Sequence, residues 1–116
     1  MEEVITLFCS VHGESRRDVF SVEIGNKSVS ELKKAIKAER IEFANINASD
    51  LTLWKVSIPI DDNTDAILGN FVLEDNKNGI RKLKNPTDDI FDVFEVDSEK
   101  FVRKNIHVIV QPSVTG

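Results

Sequence analysis

Apolar residues recur at helical spacing in one stretch of the chain, residues 28–41. Positions three and four apart lie on one face of a helix, so this spacing predicts an amphipathic helix with one apolar stripe. The stripe consists of Val29, Leu32, Ala35 and Ile36. Ser28 followed three residues later by Glu31 forms a capping-box pattern, which marks the start of the helix. A helix with one apolar face requires a sheet or another helix to cover that face.

Four other stretches have the composition of β-strands: residues 3–11, 19–24, 50–58 and 105–110. The first two are separated by the polar residues 12–18 and are predicted to form a hairpin. The first strand alternates, and its more apolar face is expected to point at the helix; this face contains Ile5, Leu7, Cys9 and Val11. The last strand is apolar at nearly every position, which predicts a place in the middle of the sheet.

The pattern is less regular between residues 60 and 100. Residues 66–73 fit either a short helix or a strand. Residues 85–100 carry six acidic side chains against one lysine, and they include a helical spacing of apolar residues at Ile90, Val93 and Phe94. We interpret this stretch as an acidic, solvent-exposed surface held in place by a few apolar side chains in the core. We favour this interpretation over a specific binding motif.

The order of these elements resembles that of the ubiquitin-like β-grasp fold, and this resemblance implies an α+β fold. A mixed sheet of four or five strands would pack on one main helix (28–41), with an inserted or extended segment at about 57–100. A chain of 116 residues fits one domain, which we assign to residues 1–112. Residues 113–116 are interpreted as a tail or as the start of a linker to an absent C-terminal domain.

The charge of the chain restricts its partners. A formal net charge of −5 opposes non-specific binding to nucleic acid or anionic membranes, although a local basic strip on the outer helix face leaves that route open. We therefore expect no direct nucleic-acid partner. Nowhere do about 18 apolar residues occur together, and the N-terminus lacks the pattern of a signal peptide. We expect no membrane span.

The sequence offers little for catalysis or metal binding. One cysteine, Cys9, excludes an internal disulfide and is interpreted as a buried small apolar residue. His12 falls in a turn and His107 in the last strand, so neither forms a recognisable pair with a nucleophile or base. The carboxylates of Asp61, Asp62 and Asp65 lack the glycine and the final glutamate of an EF-hand loop. We expect no catalytic residue, no cofactor and no metal.

A candidate partner-binding surface follows from strand alternation. If Leu51 and Leu53 point at the helix, Thr52 and Trp54 point away from it. On the last strand, the residues expected to face the helix are Ile106, Val108 and Val110, and those expected to face outward are His107 and Ile109. Two alternatives remain equally supported: the four outward residues form an exposed interaction patch, or the segment 57–100 folds over them and buries Trp54 in a second small core.

Three stretches, residues 5–9, 50–56 and 107–112, resemble the N-terminal header domain of the Crinkler effector family. That family opens with a Leu-Phe-Cys strand, carries a Leu-Phe-Leu-Ala-Lys motif and ends near a His-Val-Leu-Val segment before a proline. The residues that match are Leu51, Leu53, Lys55, His107, Val108 and Pro112. Thr52 and Trp54 stand where the motif has Phe and Ala, a variant that resembles the fungal branch.

The resemblance implies a function and a location. The chain would be a non-enzymatic header of an effector that is secreted and then acts in the host cytoplasm or nucleus. It would serve delivery and association with proteins, including a second copy of itself, without a cofactor. The alternative is an intracellular β-grasp adaptor that binds a signalling partner.

Overall fold

The computed structural model describes residues 4–12, 19–69, 80–96, 101 and 104–112. Its strands are β1 (Ile5–Val11), β2 (Phe20–Ile24), β3 (Leu51–Pro59), β4 (Arg81–Lys82) and β5 (Asn105–Pro112). Its α-helices are α1 (Val29–Glu39), α2 (Thr64–Gly69) and α3 (Ile90–Val93), and 3-10 turns occupy Ile41–Phe43 and Ala48–Asp50. The four predicted strands and the main helix are confirmed. The short strand β4 was not predicted, and the tail 113–116 lies outside the described residues.

The five strands form one mixed sheet in the order β2-β1-β5-β3-β4. β1 pairs with β2 antiparallel and with β5 parallel, while β3 pairs antiparallel with both β5 and β4. The predicted central position of the last strand is confirmed, because β5 has a neighbour on each side. The α+β class with a mixed sheet is therefore confirmed, whereas the finer ubiquitin-like assignment stays a prediction.

α1 covers one face of this sheet and forms the main core with it. Val29, Leu32 and Ile36 are completely buried. Each such side chain contributes about 1.5 to 3 kcal/mol when it leaves water. The N-cap is Ser28, whose Oγ accepts a hydrogen bond from the Glu31 N–H at 3.3 Å. The sheet residues of this core include Leu7, Cys9, Val11, Leu51, Leu53, Val108 and Val110, so the predicted inward face of β1 is confirmed.

Backbone carbonyls of the acidic segment accept hydrogen bonds from N–H groups in the first turn of α1. The first four N–H groups of a helix have no partner within it. Here the Val29 N–H donates to the Asp88 carbonyl and the Ser30 N–H donates to the Pro86 carbonyl, each at 3.0 Å. In return, the Ile90 N–H donates to the Lys27 carbonyl at 2.8 Å. The segment is thereby joined to the helix by main-chain bonds that are independent of side-chain identity.

Within the described residues 85–96, the side chains of the acidic segment agree with its interpretation as a solvated face over core anchors. Ile90, Val93 and Phe94 belong to the main core. Asp89 and Asp92, by contrast, are exposed to solvent. The helical turn predicted from the spacing of the three apolar residues is α3.

A β-bulge at His107 changes which residues of β5 face the helix. Phe8 pairs with Ile106, whereas the next residue, Cys9, pairs with Val108, so His107 is an extra residue in β5. An extra residue reverses the alternation of the strand. Val108 and Val110 face α1 as predicted. The prediction was wrong for Ile106, which lies on the opposite face of the sheet.

The opposite face of the sheet carries a second, smaller core. It contains Trp54, Val56, Ile58, Ile80, Ile106 and Ile109, with Val19, Ile60 and Leu68 packed against it. Leu68 comes from α2, which settles the ambiguous stretch in favour of a helix as far as Gly69; residues 70–79 lie outside the described residues. The extended segment after β3 therefore returns to cover the face of the sheet that α1 leaves uncovered.

α2 is attached to the end of β3 by one buried hydroxyl. Thr64 has no exposed surface. Its Oγ1 donates to the Pro59 carbonyl at 2.7 Å and accepts from the Asp61 N–H at 2.7 Å. Both hydrogen-bonding roles of the hydroxyl are thus used. These two hydrogen bonds hold the turn between β3 and α2, which directs the chain back over the second core.

Candidate interaction site

The candidate site is centred on β3, where residues 51–55 hold the sequence motif. Leu51 and Leu53 are almost completely buried beneath α1, with 1% and 0% of their surfaces exposed. Trp54 points to the second core on the other face. Because the motif contributes anchors to both cores, most of its side-chain surface is inaccessible to a partner in the folded domain.

Trp54 is held by three kinds of contact. Its ring is 7% exposed, and its Nε1–H donates to Gln111 Oε1 at 3.2 Å. The Lys82 ammonium lies 5.7 Å from the ring centroid, within the range of a cation–π contact. Gln111 and Lys82 were not identified from the sequence. Their roles depend on which strands pair with β3, and the two-residue strand β4 gives no alternation signal.

Lys55 connects the motif to the acidic segment. Its Nζ lies 3.5 Å from Glu95 Oε2, and the two side chains are 25% and 42% exposed. Partly solvated ion pairs of this kind contribute less than about 1 kcal/mol. Glu95 also has a φ of 50°, in the left-handed region that normally favours glycine. The Val96 N–H donates to the Phe91 carbonyl at 3.2 Å across this turn, so Glu95 ends α3 in a Schellman-type cap.

His107 is a buried structural residue at the bulge between β1 and β5. It is 5% exposed, and its Nδ1 accepts the Phe8 N–H at 3.1 Å. Its ring centroid lies 6.3 Å from that of Phe8, nearly parallel, and 4.7 Å from that of Phe101, edge to face. An Nδ1 that accepts a hydrogen bond carries no proton, so the imidazole is neutral with its proton on Nε2. Alternation along the last strand does not indicate this role.

The four residues predicted to face away from α1 are therefore mostly covered. Trp54, His107 and Ile109 are 7%, 5% and 1% exposed, while Thr52 is half-buried. Of the two alternatives, burial in a second small core is correct for Trp54 and Ile109. The alternative of an exposed interaction patch is wrong for the three buried residues. Partner binding by these four residues stays a prediction. Among them, Thr52 has the most accessible side chain.

The thiol of Cys9 is unreactive because it is completely buried. It has no exposed surface, and burial, together with the charge of Glu39, raises the pKa of its thiol far above the ordinary range. A buried thiol with a raised pKa is a poor nucleophile. The interpretation of Cys9 as a buried apolar residue is confirmed.

The raised pKa of Cys9 makes folding stability depend on pH in the alkaline range. The folded thiol stays protonated, whereas the unfolded thiol ionises above about pH 8.5. Unfolding then releases a proton, so stability is fully present below that pH and falls as pH rises, by up to about 1.4 kcal/mol per unit. Urea unfolding at several pH values should show this slope in the wild type and a shallower one in Cys9→Ala. Identical slopes in the two proteins would contradict the assignment.

One of the carboxylates near α2, that of Asp61, takes part in the local turn. Asp61 Oδ1 accepts the Asn63 N–H at 2.8 Å, and the side chains of Asp61, Asp62 and Asp65 are exposed. Within the described parts of the chain, no cluster of three or more His, Cys, Asp or Glu side chains is arranged to hold a metal ion.

Comparison with known proteins identifies the family. Residues 5–111 match the model of the Crinkler effector protein N-terminal domain. The chain belongs to the Crinkler family. It is also 39% identical over 112 residues to Crinkler effector protein 1 of Rhizophagus irregularis, a match that covers 93% of this chain and 21% of that protein. No solved structure matches.

The residues on which the family resemblance was inferred can now be placed in the fold. Leu51, Leu53 and Val108 lie in the main core, Lys55 pairs with Glu95, and His107 forms the bulge. Pro112 pairs with Leu51 at the first residue of β3. The family resemblance inferred from these positions is confirmed, and each of the five described side chains among them has a contact within the domain.

Crinkler effector protein 1 is much longer than this chain, which spans about a fifth of its length.

Among the described residues, no helix has the length and apolar character required to cross a bilayer.

Proposed function

We propose that this chain is the non-enzymatic header domain of a secreted Crinkler-type effector. In this role the chain acts in delivery to the host cell and in association with proteins, including a second copy of itself. The observation that carries the proposal is the family match over residues 5–111. We further propose the ubiquitin-like β-grasp fold. It is supported by the parallel pairing of the first and last strands and by α1, the longest helix in the described part of the chain, on one face of the sheet.

The contacts of the motif favour recognition of the folded domain over recognition of a linear peptide. A receptor that reads Leu51 and Leu53 directly would have to extract both side chains from the main core. Removing a buried leucine from a core costs about 2 to 5 kcal/mol. We propose instead that partners contact the accessible surface beside the motif, at Thr52 and at the edges of Trp54 and Lys82.

Delivery is tested with a variant that alters the core and leaves the motif intact. Leu32→Ala removes a buried contact from α1 and leaves every motif residue unchanged. With a reporter fused after Gly116, we expect Leu32→Ala to reduce arrival in host cells in proportion to its loss of folded protein. Delivery that is undiminished in an unfolded Leu32→Ala chain would contradict recognition of the folded domain.

Association is tested by light scattering over a range of protein concentrations. Thr52→Arg places a large cation at the proposed contact, and Ser21→Arg makes the same change at an exposed residue of β2. We expect any oligomer of the wild type to dissociate in Thr52→Arg and to persist in Ser21→Arg. An equal effect of the two substitutions would remove Thr52 from the interface.

A further inference from the structure

Three Asn-x-Ser/Thr triplets occur in the chain, beginning at Asn26, Asn47 and Asn85. Such a triplet is an acceptor for N-linked glycans when its middle residue is not proline. The third triplet contains Pro86 and is excluded. The other two, with Lys27 and Ala48 in the middle, satisfy the rule, so their structural settings distinguish them.

Asn47 has the setting of an acceptor. Its side chain is exposed, and its backbone is extended, with φ −67° and ψ 139°. It precedes the 3-10 turn Ala48–Asp50, and its main-chain carbonyl accepts the Asp50 N–H at 2.9 Å. Its side chain makes no capping hydrogen bond to that turn. A sugar on Nδ2 would therefore extend into solvent without breaking a bond of the fold.

Asn26 lies instead where the turn before α1 contacts α3. Its Oδ1 accepts the Phe91 N–H at 3.3 Å, which ties the turn before α1 to α3. The hydroxyl of the same triplet, on Ser28, caps α1. Both functional groups of this triplet are therefore engaged once the domain has folded, which leaves little freedom to present the amide to an enzyme.

We propose that Asn47 is the N-glycosylation acceptor of this domain. The inference rests on the proposed function, because secretion would bring the chain to the lumenal transferase and its lipid-pyrophosphate-linked oligosaccharide. A bond forms between Asn47 Nδ2 and the anomeric carbon of the first sugar, and the bond from that carbon to the pyrophosphate oxygen breaks. Nδ2 loses one proton, and the lipid pyrophosphate leaves with the electron pair. No oxidation or reduction is involved.

The test directs the whole chain into the secretory pathway of a yeast by a cleavable leader and examines the secreted product by mass spectrometry. Peptide N-glycosidase in ¹⁸O-water removes the glycan and marks the acceptor asparagine as labelled aspartate. The variants are Asn47→Gln, Asn26→Gln and, as a matched control, Asn45→Gln, which changes an exposed asparagine outside any acceptor triplet.

We expect the label at Asn47, and we expect the glycan to be lost in Asn47→Gln alone. A product without glycan, or one modified only at Asn26, would overturn the assignment. The proposed secretion is examined separately on the protein from its natural producer. An unmodified natural protein combined with a glycosylated leader-directed chain would contradict passage through the lumen while leaving Asn47 as a competent acceptor.

Discussion

Trp54→Ala is expected to lower the free energy of unfolding by about 3 to 5 kcal/mol, the range for removing a buried aromatic side chain. The substitution empties the centre of the second core, where Trp54 lies opposite Ile109 of β5. It also removes the hydrogen bond to Gln111 and the contact with Lys82. Denaturant unfolding followed by far-ultraviolet circular dichroism measures the change, since it does not depend on tryptophan.

The control is Trp54→Phe, which keeps an aromatic ring and loses the N–H donor, so we expect a smaller loss of stability. Trp54 is the single tryptophan of the chain, and the emission of the wild type reports its environment directly. Burial predicts blue-shifted emission that is poorly quenched by iodide. Red-shifted emission together with a loss below about 1 kcal/mol in Trp54→Ala would show that the segment after β3 leaves the ring uncovered in solution.

His107→Ala is expected to destabilise the domain by about 3 kcal/mol or more, since it removes a packed ring and leaves a buried amide without its acceptor. The amide is the Phe8 N–H, which donates to Nδ1 at the bulge. Pairing between β1 and β5 depends on this bond because the bulge interrupts the regular ladder there. Thermal and denaturant unfolding measure the total loss.

Two further substitutions separate the contributions of the acceptor and the ring. His107→Asn places an oxygen acceptor near the position of Nδ1 and removes the ring, whereas His107→Phe keeps an aromatic ring and removes the acceptor. We expect fast hydrogen exchange of the Phe8 amide in His107→Phe and slow exchange in His107→Asn. A His107→Phe protein with wild-type stability and a protected Phe8 amide would show that the bond to Nδ1 is dispensable.

The burial of Trp54 relates the motif to the segment that covers the second core. In the resemblance inferred from the sequence, Thr52 and Trp54 stand where the motif has Phe and Ala. The structure places Trp54 in a core that Ile80 and Leu68 help to form. A tryptophan needs more space than an alanine, so the segment that covers this face has to be compatible with the larger ring. The motif variant and the covering segment are therefore physically coupled in this chain.

The elements of the fold were predictable wherever the information was local. The apolar stripe of α1, the alternation of β1 and the apolar run of β5 each depend on periodicity within about ten residues, and each was assigned correctly. The anchors of the acidic segment, Ile90, Val93 and Phe94, were also visible as a helical spacing. Family membership followed from the order of short motifs, which individually resemble any buried strand.

The tertiary structure alone decided how the strands register and what covers the second face of the sheet. One extra residue at His107 moved Ile106 to the opposite face, and alternation within β5 contains no sign of it. The burial of Trp54 required Ile80, Leu68 and Gln111, which lie between 14 and 57 positions away from it in the chain. Periodicity reports which side of an element is apolar, but the identity of the partner is set by packing between distant segments. For that reason the sequence by itself determined the elements and the family, and the tertiary structure determined which residues remain accessible to a partner.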